Sequence, residues 1–160
     1  MNQTGTYVKI LRESLERKMR YLEEIVALTN KQAEYAAAET FDEAAFSELV
    51  DKKEVLIGNI NEGDKGFASV YERVKQEIQA DPASYREDLQ AIQSLIRQCV
   101  DLGMQIEAVE ERNRAAMEQV FATKFRGVRQ IKQSKTVANK YYKSMANGVV
   151  NDSLLYDRKK

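Results

Sequence analysis

The chain has 160 residues, 43% of them apolar, and its 25 basic side chains balance 25 acidic ones. That length holds one domain or one elongated bundle, and the apolar share excludes global disorder. Histidine is absent, which excludes Ser-His and Cys-His nucleophilic systems, the usual proton shuttle near neutral pH and the commonest metal ligand.

The first element is an amphipathic helix. Val8, Leu11, Leu15, Met19, Leu22, Val26, Thr29, Ala33 and Ala37 recur at spacings of three and four, with Ile25 and Leu28 widening the stripe. The spacing predicts a helix from about residue 6 to 38.

The second helix has a marked start. Asp42 is a suitable N-cap, because its side-chain oxygen can accept from the free backbone N–H groups of the first turn. Phe41 and Phe46 then occupy the two positions of a hydrophobic staple. The face reads Phe46, Leu49, Lys53, Leu56, Ile60, Gly63, Phe67, Val70, Val74 and Glu77, a heptad spacing with weak positions at Lys53, Gly63 and Glu77. The phase survives Gly58, Gly63 and Gly66, so a continuous helix is expected over 43–79. Lys53 on this seam is expected to bury its stem and hold its ammonium in water.

Asp81-Pro82 is the next break, read as an N-cap followed by proline in the first helical position. The third face runs Tyr85, Leu89, Ile92, Ile96, Cys99, Gly103, Ile106, Glu110, Asn113, Met117 and Val120. It continues in phase through Lys124, Val128, Ile131, Ala138, Tyr142 and Met145. A helix over 82–147 is predicted, with residues 148–160 as a flexible tail. Asn113 on the seam is expected to fix register. Cys99 is expected to be a small core residue, not a nucleophile, and Met19, Met104, Met117 and Met145 to fill core space.

Length then sets the architecture. Helices one and two should each be about 50–55 Å long at 1.5 Å per residue. Short connections make successive helices antiparallel, pairing residues 82–118 with about 80–43. The fold class is therefore all-α: an elongated antiparallel three-helix bundle or coiled coil whose third helix overhangs beyond about residue 120. One helical domain, residues 1–147, is expected.

Charge singles out the same segment. From Gln119 to Asn151 there is no Asp or Glu, while Lys124, Arg126, Arg129, Lys132, Lys135, Lys140 and Lys143 give +7. Residues 1–118 carry 15 basic and 23 acidic side chains, or −8. The overhang is also apolar, through Val120, Phe121, Phe125, Val128, Ile131 and Val137, with Tyr141 and Tyr142 beyond. An apolar stripe with no internal partner must be buried elsewhere: against its own tail, a second copy or a client. Seven cations over 33 residues make a thin stripe for phosphates, and the acidic body repels them, so no nucleic-acid partner is expected.

No run of about 18 apolar residues appears and the N-terminus lacks an apolar signal core, so neither a membrane span nor a secretory signal is expected. A lone cysteine suits a reducing cytoplasm. No G-x-G-x-x-G or P-loop pattern is present and the carboxylates are scattered. No enzymatic activity, cofactor or metal site is expected.

The stretches FDEAAFSELVDKKEVLIGNI, DKGFASVYERV and LQAIQSLIRQCVDLGMQIEAVEERNRAAM, following a first amphipathic helix, carry a resemblance. The Phe-x4-Phe-x2-Leu-x3-Lys opening of helix two and the ERN in helix three are the most telling. Over about residues 5–145 the chain resembles the FlgN-type flagellar export chaperones. The resemblance implies a cytoplasmic, non-enzymatic chaperone that holds the disordered termini of hook–filament junction subunits. It prevents their premature assembly and delivers them to the export gate through a C-terminal tyrosine.

On this reading Val120, Phe121, Phe125, Val128 and Ile131 contact the client, and Tyr156, Tyr141 or Tyr142 docks at the gate. The alternative is a structural coiled-coil adaptor acting through homo-oligomerisation, and a homodimer stays open.

Overall fold

A computed structural model describes residues 3–124, with side chains placed through Ala122. Three long helices in series account for nearly all of it: α1 (Gln3–Ala37), α2 (Glu43–Ala80) and α3 (Arg86–Lys124), with a 3-10 turn, Pro82–Tyr85, before the last. No strand occurs among the described residues. At 35 to 39 residues each, the helices span about 52–58 Å by the standard rise, so the bundle is elongated.

The α1–α2 connection follows from local chemistry. The Asp42 carboxylate accepts from the Ala45 amide at 3.1 Å, and the Phe41 and Phe46 rings meet at 5.5 Å between centroids. The cap and the staple therefore form together at the start of α2. The second break differs from expectation. Asp81 makes no side-chain cap to backbone; it accepts instead from the Ser84 hydroxyl, and its own amide closes α2 by donating to Glu77. Proline starts a tight turn, and the α-helix begins four residues later than expected, at Arg86.

α2 is unbroken through its glycines, none of which has positive φ. Each costs the helix about 1 kcal/mol relative to alanine, and the apolar seam offsets it.

The expected antiparallel register of α2 and α3 appears where Lys53 meets Glu110. The closest backbone approaches, however, are those of α1 to both other helices. α1 runs antiparallel to α2, with Lys18 meeting Asp64, and parallel to α3, with Arg12 meeting Asp88 and Thr29 meeting Asn113.

The buried face of α1 is also one residue out of the expected phase at alternate positions. Lys18, Ile25, Gln32 and Ala36 are buried, whereas Met19, Val26 and Ala33 are half-buried and Ala37 is exposed. A helical stripe is wide enough to hold either series, and the neighbouring helices choose between them.

The core falls into three apolar clusters along the axis. The first joins Val8, Leu11 and Leu15 to Phe67, Val74, Ile78, Ile92, Leu95 and Ile96. The middle one gathers Leu22, Ile25, Val50, Leu56, Ile57, Ile60, Cys99 and Ile106. The last is smaller: Ala36, Met117, Val120 and Phe121, packed with Phe41, Phe46 and Ala116. Met104, expected in the core, points outward at 60% exposure.

Candidate partner-binding end of the bundle

The last cluster lies where α1 ends and α2 begins. Phe121 presents its edge to Phe41 at 6.5 Å and 89°, and Phe41 in turn packs on Phe46. Val120 and Phe121 are 9% and 5% exposed. They were expected to begin the unpartnered stretch. Instead the α1–α2 turn reaches far enough to cover them, because the Phe41–Phe46 staple folds onto α3. Phe125, Val128 and Ile131 lie outside the described residues, as do Tyr141, Tyr142, Tyr156 and Met145. Near its described end, α3 is level with the turn that joins α1 and α2, where Val120 and Phe121 pack with Phe41 and Phe46.

A buried polar layer underlies this end. Lys53 is fully buried, correcting the expectation of a solvated ammonium. Its Nζ donates to Gln32 Oε1 and to Glu110 Oε1. Thr29 donates back to the Ile25 carbonyl at 2.6 Å and lies 3.4 Å from Glu110 Oε1. Asn113 donates to the Thr29 carbonyl at 3.1 Å. The network ties all three helices at one level, so Asn113 does hold register, together with partners that helical periodicity left out.

Between the first two apolar clusters a second polar contact recurs, Lys18 to Asp64 at 2.7 Å. Lys18 and Gln32 were passed over in the sequence because an apolar neighbour stood beside each, Met19 and Ala33. The available signal was their three-and-four spacing from Leu15, Leu22, Thr29 and Ala36.

Burial lowers the Lys53 pKa to about 8, with Glu110 opposing the shift. In the unfolded chain Lys53 keeps its proton up to about pH 10.4. Between these values the unfolded state binds more protons, so stability from this group rises with pH. The charged-lysine penalty is fully present below pH 8 and relieved above it. Relative to a variant with Gln32→Leu, Lys53→Met and Glu110→Leu, which leaves neither charge of the pair behind, the wild type should gain about 2 kcal/mol between pH 7.5 and 9.5 in urea unfolding. A flat difference would show that Lys53 holds its proton throughout.

Burial also pushes the Cys99 thiol up to about 11, so it is a packed side chain and no nucleophile at neutral pH. Among the described residues, no group of three or more acidic or cysteine side chains could hold a metal ion, and no helix is long and apolar enough to cross a membrane.

Comparison with known families matches residues 1–147 to the model described as FlgN protein. No curated protein matches, and no solved structure does.

Proposed function

The chain belongs to the FlgN family, the chaperones of flagellar export, and on that premise we propose that it binds the disordered, amphipathic termini of hook–filament junction proteins in the cytoplasm. It keeps them from assembling early and delivers them to the export gate. The observation that carries this reading is that the family match extends past Lys124 to residue 147. It thus takes in most of the basic, apolar stretch over 119–151.

Recognition is helix on helix: a client segment lays its apolar face on Phe125, Val128 and Ile131. The measured affinity is the burial gained less the entropy of ordering the client. Val120 and Phe121 contribute by anchoring the start of that surface to the bundle. No catalytic step or cofactor enters this mechanism.

The alternative is a structural coiled-coil adaptor that acts through homo-oligomerisation; Ile10, Val55 and Met104, the exposed large apolar side chains among the described residues, stand on three different helices.

The test is capture from flagellated cells. The full chain should co-purify with hook–filament junction subunits and with export-gate components. A tyrosine supplies an apolar ring with a hydroxyl tip, suited to anchoring at a partner surface. Tyr156, beside Leu154 and Leu155, is the proposed gate anchor. Tyr156→Ala should keep the client and lose the gate, with reduced export. Gate binding that survives removal of residues 149–160 would move the role to Tyr141 or Tyr142. Failure to capture any junction subunit would refute the chaperone assignment.

A further inference from the structure

Residues 37–48 take in the end of α1, the connecting turn and the start of α2, and none of their side chains is buried. Phe41 and Phe46, both half-buried, nevertheless pack over Met117, Val120 and Phe121 of α3, which are buried. A cover that loses little of its own surface to water gains little by staying in place. The approach of α1 to this cluster is through alanine: Ala33, Ala36, Ala37 and Ala38 stand at its end, and they have the least apolar area to bury.

The bonds that shape the turn lie inside it. The Ala38 amide donates to the Tyr35 carbonyl at 3.3 Å, and the Phe46 amide to the Asp42 carbonyl at 3.1 Å. The Asp42 cap on Ala45 and the Phe41–Phe46 ring contact are equally local. All of them survive if the turn parts from α3.

The cluster under the turn is also the smallest, with four buried residues against nine and eight in the others. Beneath it lies the layer in which Lys53 donates to Gln32 and Glu110. Exposing a buried ion pair one member at a time is costly, so the layer bounds any opening of the end above it.

We propose that the α1–α2 turn is a strap: residues 33–48 lift from α3 as a unit while the polar layer and the two larger clusters stay closed, and, on the client reading above, the client's amphipathic helix takes the strap's place on Met117, Val120 and Phe121. The bed so uncovered continues the client stripe, because Met117, Phe121, Phe125 and Val128 recur at spacings of four and three in the sequence. Val120 and Phe121 thus anchor α3 in the closed bundle and meet the client in the open one. Closure also sets the affinity, since a client sees only the open fraction of the molecules.

The lone cysteine supplies an internal reference for the test. Cys99 is buried in the middle cluster, so its thiol reacts when the whole bundle opens. Met117→Cys in the full chain adds a thiol under the strap, with Val120→Cys as a second reporter should the first fold poorly. In iodoacetamide labelling followed by peptide mass spectrometry, the added thiol should react at least about a hundredfold faster than Cys99. Phe41→Ala loosens the strap, so it should speed that reaction and tighten binding of the junction-subunit terminus about tenfold.

An added thiol that reacts as slowly as Cys99 would overturn the proposal. So would one that reacts as fast as an unfolded cysteine, because nothing would then cover it. Unchanged or weaker client binding by Phe41→Ala would also overturn it, the ring being then a structural residue or a client contact and not a gate. Fast labelling in a protein that binds no junction subunit would remove the chaperone reading and leave the opening of the strap established.

Discussion

Glu110→Leu with Lys53 retained is expected to destabilise the bundle by about 3–5 kcal/mol, the cost of leaving one member of a buried ion pair alone. Lys53 is fully buried and its side-chain nitrogen has Gln32 and Glu110 as acceptors. Leucine removes the charged one and supplies no path to water. That loss is a large share of the stability of a domain this size, typically about 5–15 kcal/mol. Urea unfolding followed by circular dichroism at 222 nm is the measurement.

The companion variant separates pair removal from pair replacement. Gln32→Leu, Lys53→Met and Glu110→Leu together remove the desolvated charges, and such replacements are often neutral or stabilising by about 1–4 kcal/mol. The triple variant should therefore unfold no earlier than the wild type. A loss below about 1 kcal/mol for Glu110→Leu alone would mean that water reaches Lys53 and the layer is not sealed.

The second large effect concerns the client. Phe125→Glu or Ile131→Glu should abolish binding of hook–filament junction termini, a loss of about 100-fold or more, while helicity stays near wild type. A carboxylate placed in an apolar contact must be desolvated without a partner, and that cost opposes the whole interface. Phe121 is not a clean probe of that binding. Phe121 is 5% exposed and packs on Phe41, so Phe121→Ala should cost about 3–5 kcal/mol of folding and confound any binding measurement. Isothermal titration with the folded variants settles the matter. Full affinity in well-folded Phe125→Glu and Ile131→Glu proteins would place the client elsewhere, and unfolding of either would make this segment part of the core.

The two experiments address neighbouring levels of one end of the bundle. The buried layer of Thr29, Gln32, Lys53, Glu110 and Asn113 separates the small aromatic cap from the longer core behind it. A polar layer contributes less burial per residue than an apolar one but accepts only one alignment of its partners. The cap is thereby held at a fixed height on the bundle.

Much of this was readable in the chain. Three-and-four spacing dictated three helices, because only one face of each can be apolar in water. Asp42, Phe41 and Phe46 set the start of α2, since a cap and a staple need nothing beyond their own neighbours in sequence. The absence of histidine ruled out whole classes of chemistry before any fold was known.

Other features depended on partners far away in sequence. The choice of Lys18 over Met19 and of Gln32 over Ala33 for the buried face of α1 reverses the hydrophobic preference. It is tolerable only because Asp64 and Lys53 arrive from α2. Lys53 is buried because Glu110, 57 residues further on, meets it. The covering of Val120 and Phe121 likewise required the α1–α2 turn to fold over α3. Periodicity defines a stripe about one helix face wide; which residues within it leave water is decided by the shapes and charges that the other helices bring.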